Sequence, residues 1–204
     1  DNALSMAWSA EAADAPTIVN ITGHAFFNLA GAGSTHGHVL QVPASRYVPL
    51  ASDVCPTGEL ALVDGTPFDF RAPRAVGNAV AEPHEQLARA GGLDHYLVLD
   101  DLPYTRPPAS SVDSPWLVDG VRLAAVLSEP VSGRSMEVWT TAPGVQVYAG
   151  HGLKADPARD LGRGEGANGW LWQPGDGICL EPMEFPDAPN HPLFPVRWMS
   201  PGDV

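Results

Sequence analysis

Positive charge is scarce in this chain: Lys and Arg total 11 against 24 Asp and Glu, a net charge of −13 over 204 residues. A phosphate backbone or an anionic membrane surface would repel it, which excludes nucleic acid and membrane as expected partners. Cysteine is scarcer still. Cys55 and Cys179 lie far apart and neither has a second close ligand, so no CxxC metal or redox pair is present, and whether the two bond to each other stays open. No apolar run of about 18 residues exists to cross a bilayer. Heptads, internal repeats of fixed period and Gly-rich phosphate loops are missing too. An initiating Met is lacking, and Asp1-Asn2-Ala3-Leu4 has neither the basic start nor the apolar core of a signal peptide. A soluble chain is expected, with the cytoplasm as its default compartment, the periplasm or secretion as the alternatives, and an N-terminus set by processing or by a fragment boundary.

Turn-forming residues are plentiful. Gly and Pro number 21 each, apolar residues make up 44% and charged residues only 17%, which suits a globular protein of sheets and loops better than a helical or disordered one. The length accommodates one all-β domain, and 1–204 is read as that single domain. Alternating or β-branched segments predict strands at 3–10, 17–22, 38–42, 96–99, 121–128, 135–140 and 145–149. Ser132-Gly133 reads as a hairpin connection and Ala142-Pro143-Gly144 as the next turn, so the second half is expected to be an antiparallel meander. One short helix is expected over 83–89, stopped by Gly91-Gly92. The Pro/Ser-rich stretch 103–115 and the Gly-rich, charged stretch 155–169 read as insertions on the same sandwich.

The segment T-I-V-N-I-T-G-H-A-F-F-N-L-A-G at 17–31 is a strand ending in a histidine flanked by aromatics. It resembles the aldose 1-epimerase family. The likeness continues in G-H-V-L-Q-V (37–42), R-Y-V-P-L (46–50), P-T-G-E (56–59), G-T-P-F-D-F-R (65–71) and G-G-L-D-H-Y (91–96), and runs on through E-V-W-T-T-A-P-G-V-Q-V-Y-A-G (137–150) and C-L-E-P-M-E-F-P-D-A-P-N-H-P-L-F-P (179–195). The resemblance implies a largely antiparallel, galactose mutarotase-like β-sandwich that interconverts the α and β anomers of a free hexose, galactose or glucose, with no cofactor and no metal. It also implies a further N-terminal portion, with an arginine and a second histidine in a Leu-His-Gly-Gly type motif, and a closing strand after Asp203. On that reading the chain is incomplete at both ends, and the missing N-terminal portion is an expected partner.

Mutarotation needs a base for the anomeric hydroxyl and an acid for the ring oxygen. Glu181, in the apolar setting Ile178 to Met183, has the environment of a strengthened base, with a paired structural glutamate as the alternative. The resemblance assigns it the catalytic role over its neighbour Glu184. His24 is a residue type that gives and takes protons near neutral pH, or else a satisfied core histidine; the resemblance makes it the acid. Asp94, after Gly91-Gly92, is either a turn aspartate or, by the resemblance, the carboxylate that orients the sugar hydroxyls. Gln146 is carried over as a further polar contact, against an outward-facing strand glutamine. His24 and Glu181 are expected to line one pocket with room for a pyranose between them and Asp94 on its rim. At least one of Phe26 and Phe27 should enter the core, and His36-Gly37-His38 is read as a solvated turn rather than a metal pair. The Pro-rich 185–195 is either a rigid wall beside Glu181 or a surface loop. Two other readings are an epimerase for a phosphorylated hexose, using Arg71 and Arg74, and a non-catalytic carbohydrate-binding module.

Overall fold

The computed structural model describes residues 2–100, 120–153 and 172–203. The two loop-rich stretches, 103–115 and 155–169, lie outside the described residues. Strands run in the order β1 (Thr17–Ile18), β2 (Phe26–Phe27), β3 (Val39–Gln41), β4 (Arg46–Tyr47), β5 (Ala61–Leu62), β6 (Arg74–Ala75), β7 (Asp94–Val98), β8 (Arg122–Glu129), β9 (Arg134–Thr140), β10 (Gly144–Tyr148), β11 (Ile178–Met183) and β12 (Trp198–Met199). Two short helices, α1 (Val76–Val80) and α2 (Glu85–Ala90), stand between β6 and β7. Among the described residues, the strands form a six-stranded sheet in the order β2-β11-β10-β7-β4-β5, a four-stranded sheet β6-β3-β8-β9 and a small pair β1-β12. Among the described residues every pairing between these strands is antiparallel.

The two larger sheets bury one shared core. Leu97, Val145, Val147, Ile178 and Leu180 of the six-stranded sheet meet Leu40, Ala125 and Leu127 of the four-stranded sheet, with Phe68 and Phe70 filling the space between. Period-two alternation follows directly: Val145 and Val147 face this core, so Gln146 and Tyr148 face away from it. Residues opposite one another across antiparallel strands share a face. Gln146 is registered with Tyr96 and Glu181, and Tyr148 with Asp94 and Cys179. Cys179 is in turn opposite Phe26. The outer face of the central strands therefore collects a polar set from β7, β10 and β11, with Phe26 of β2 at its edge.

Three expectations need correction. Residues 3–10 alternate but form no strand; Leu4, Met6 and Trp8 are exposed, because alternation selects a face only where another strand supplies a ladder. Strand β1 is likewise only two residues long, held by β12. The second half is not a meander: β8 and β9 form the expected hairpin, with Gly133 at φ 70°, but β10 leaves β9 for the other sheet. Burial drives that switch, since Val145 and Val147 fill the core from the opposite side to Leu127. The His36-Gly37-His38 turn is solvated only in part. His38 is buried and its Nε2 accepts the Leu29 N–H at 2.9 Å, which satisfies the imidazole inside the core.

Helix α2 starts two residues later than the expected 83–89, and Gly91 closes it in the left-handed region at φ 73°. The His84 side chain caps its start by accepting the Gln86 N–H. Helix α1 has no apolar periodicity long enough to signal it, and it forms because Val76 and Ala79 fill the core.

Candidate active site

Three strands of the six-stranded sheet and the loop before a fourth supply the outer-face cluster. Glu181 lies in β11 and is 5% exposed, so its carboxylate is held away from water by the sheet. His24 lies between β1 and β2, and its side chain remains 55% exposed. His24 Nε2 approaches Glu181 Oε1 at 3.5 Å, and His24 Nδ1 lies 3.3 Å from Cys179 Sγ. Phe26 and Tyr148 flank the imidazole, with ring centroids at 5.2 and 6.0 Å.

Beside this pair, Gln146 Nε2 donates to Asp94 Oδ1 at 2.6 Å. Asp94 opens β7 and Gln146 sits mid-strand in β10, both half-buried. The amide leaves its own oxygen as an acceptor, and the carboxylate keeps further acceptor positions. The pair offers what a polyhydroxylated ligand needs.

Burial pushes the Glu181 carboxyl above its ordinary value; His24 pulls it down and Asp94 adds to the rise. The Cys179 thiol is raised, first by burial and then by Glu181 and Asp94. Tyr148 is raised chiefly by burial, and its hydroxyl accepts the Gly152 N–H at 2.9 Å. A buried carboxylate whose neutral form is favoured takes up a proton more readily than a solvated one. The adjacent imidazole is in contact both with solvent and with that carboxylate.

The four expected site residues, His24, Asp94, Gln146 and Glu181, thus meet on one face. Their arrangement differs from expectation in one respect: the imidazole rests against the Glu181 carboxylate instead of standing a pyranose away from it. Attraction between a ring N–H and a largely buried carboxylate accounts for the contact. Glu184 goes elsewhere. Its backbone is clasped by Asn20, and its carboxylate lies 3.6 Å from Arg197.

Sequence reading missed Cys179 and Tyr148 as members of the cluster, although a signal was present. Cys179 is two residues before Glu181 and Tyr148 two after Gln146, so strand alternation puts each on its neighbour's face. Phe27 packs against the core and Phe26 lies exposed on the site side, as alternation requires. The Pro-rich 185–195 packs as a wall: Phe185, Ala188 and Phe194 cluster with Tyr96 and cover the Met183 end of the outer face. Arg71 is engaged by Asp64 and Asp69, and Arg74 by Glu82, so the pair read as a phosphate anchor is already neutralised.

Comparison with known proteins adds the following. Residues 1–204 match the family described as aldose 1-epimerase. The galactose mutarotase of Pongo abelii is 35% identical over 202 residues, covering 98% of this chain and 51% of that protein. The aldose 1-epimerase of Escherichia coli (strain K12) is 33% identical over 207 residues, 100% of this chain and 52% of that protein. Among solved structures, an aldose epimerase homologue from C. elegans superposes with a TM-score of 0.68 at 25% identity, over 92% of this chain and 49% of that one. Galactose 1-epimerase from Lactobacillus acidophilus gives 0.61 at 26% identity, over 91% and 47%. The chain spans about half the length of the curated relatives it matches.

Proposed function

The chain belongs to the aldose 1-epimerase family, and from that premise we propose that it carries the acid/base site of an enzyme interconverting the α and β anomers of a free hexose. Glu181 removes the proton from the anomeric hydroxyl while His24, as imidazolium, gives a proton to the ring oxygen. The C1 to ring-oxygen bond breaks and an open-chain aldehyde forms. After rotation about the C1–C2 bond the ring hydroxyl attacks the other face of the carbonyl. His24 recovers the proton from that hydroxyl, and Glu181 returns its own to the new anomeric oxygen. Two protons move and no electrons are exchanged with any carrier. Asp94 and Gln146 hold the vicinal hydroxyls, so that the anomeric centre stays between the acid and the base.

One observation carries the reading: a 5% exposed carboxylate, raised by burial, lies 3.5 Å from a half-exposed imidazole and in the same strand register as Gln146. A module that only binds sugar gains nothing from burying a carboxylate against an imidazole. Galactose is the first substrate to test, because relatives carry the name galactose mutarotase. Residues 1–204 are read as one domain, supported by the core that both larger sheets share. Among the described residues no helix is long and apolar enough to cross a membrane. A reducing compartment such as the cytoplasm fits the exposed, unpaired Cys55.

Polarimetry on freshly dissolved α-galactose and α-glucose, with the expected N-terminal portion supplied in the full-length parent, tests the proposal. Glu181→Gln keeps the shape of the side chain and removes the base, and is expected to lower kcat by about 10²- to 10⁴-fold with little change in KM. His24→Asn should behave alike, whereas Asp94→Asn should act mainly on KM. A Glu181→Gln protein with a native circular dichroism spectrum and near-normal turnover would remove Glu181 from the mechanism.

A further inference from the structure

Cys179 moves no proton in the proposed reaction, yet it lies at the centre of the site. It is fully buried in β11, two residues before Glu181 and on the same face. Its sulfur is 3.3 Å from one ring nitrogen of His24, and the other ring nitrogen faces Glu181 at 3.5 Å. One ligand atom from each of His24, Cys179 and Glu181 can be chosen so that all three lie within 4.8 Å of one another. A tetrahedral zinc ion with N, O and S ligands at about 2.0 to 2.3 Å needs edges of roughly 3.3 to 3.8 Å between them. Cys179 and Glu181 are held on one face of β11 by the strand, and His24 is the exposed member of the three.

The chemistry of the three donors is selective. Thiolate and imidazole favour borderline-soft cations such as Zn²⁺ and Co²⁺, whereas Mg²⁺ and Ca²⁺ need more oxygen ligands than this cluster holds. The half-exposed imidazole is the point of entry.

We infer that His24, Cys179 and Glu181 form an inhibitory binding site for a thiophilic divalent cation of the zinc class. Inhibition rests on the roles proposed above for His24 and Glu181; binding of the cation does not. The cation takes a lone pair from the imidazole and from the carboxylate, so neither group can transfer a proton while it is bound. The Cys179 thiol gives up its proton to the buffer as the sulfur–metal bond forms, and no redox change occurs. Three protein ligands leave a fourth position for water. Cys179 thereby gives this site a means of being switched off by metal that the acid/base reaction itself does not require.

Cobalt titration reads binding without reference to activity. Co²⁺ added to the metal-free protein should produce a thiolate-to-metal charge-transfer band that persists in Cys55→Ser and disappears in Cys179→Ser. His24→Ala, a change at an exposed position, should weaken Co²⁺ binding by at least about tenfold and guards against a Cys179 variant that fails to fold. In the polarimetric assay Zn²⁺ should abolish turnover, a chelator should restore it, and Cys179→Ser should need at least about tenfold more Zn²⁺ to halve its own turnover. No charge-transfer band, a band that follows Cys55, or equal Zn²⁺ inhibition of the wild type and Cys179→Ser each overturns the site. A protein that shows the Cys179 band but no mutarotation overturns the functional reading and leaves the metal site standing.

Discussion

Glu181 and His95 are both buried titratable residues of the same sheet, and they respond to pH in opposite senses. Glu181 has a carboxyl raised above its ordinary 4.5 by burial and by Asp94 and lowered by His24. The acid limb of kcat/KM is therefore expected above 4.5, and Asp94→Asn should move it to lower pH by removing a neighbouring negative charge. An acid limb at or below 4.5 in the wild type would contradict the buried-base assignment. Between the ordinary and the raised value the folded state binds more protons than the unfolded chain, so this carboxyl costs stability as pH rises through that window. Glu181→Gln should accordingly melt at or above the wild-type temperature at pH 7 while losing turnover. His95 sits on the core side of β7, its ring tilted against Phe68 with centroids 4.3 Å apart, and burial depresses its pKa to about 3. Here the unfolded chain binds the extra proton below about 6.5, so stability falls with acidification by up to about 1.4 kcal/mol per pH unit. Urea titrations from pH 7 to 4 should show that slope in the wild type and a shallower one in His95→Leu.

Strand β10 organises the site as an element, because it lies between β7 and β11 and sets the register of both. Its first residue must be glycine. A Cβ on Gly144 would fall 2.3 Å from Tyr96 Cζ, and the Tyr96 hydroxyl is tied to the Met183 carbonyl at 2.9 Å, so the ring cannot retreat without breaking that bond. Gly144→Ala is expected to cost about 1 to 3 kcal/mol in urea unfolding and to weaken sugar binding by disturbing Gln146 two residues on. An unchanged urea midpoint would show that the ring has room to move. Proline inside β11 is tolerated for a similar local reason: Pro182 lies beyond the part of β11 that β2 reaches, so one side of the strand needs no N–H there. The β8–β9 turn is fixed by Glu129, whose carboxylate accepts the Val131 and Ser132 N–H groups.

At the scale of the molecule, charge separates a neutral sugar from a phosphorylated one. The net charge is −13, and the two arginines closest in sequence to each other, Arg71 and Arg74, are already paired with Asp64, Asp69 and Glu82. A phosphate would have to displace those carboxylates and approach against the overall field. Galactose 6-phosphate is therefore expected to show a lower kcat/KM than galactose, with the gap narrowing as salt screens the field. A preference for the phosphorylated sugar in the polarimetric assay would reverse this assignment and call for a search of other basic groups.

Local pattern determined a good deal by itself. Alternation in 121–128, 135–140 and 145–149 located β8, β9 and β10 to within a residue or two, and Gly91 marked the end of α2 because only glycine enters the left-handed region cheaply. His24, Asp94, Gln146 and Glu181 could be named from motif resemblance, but nothing local shows that they meet. That depends on which strands pair. The same alternation at 3–10 produced no strand, and the turn at Ala142-Pro143-Gly144 led into a different sheet instead of a third hairpin strand. The contact between His24 and Cys179 spans 155 residues of sequence and follows from the registers of β2 on β11 and β11 on β10. Side-chain alternation is a property of one strand and can be read along it; the choice of partner is set by how all the apolar faces are buried together, and only the folded chain settles that.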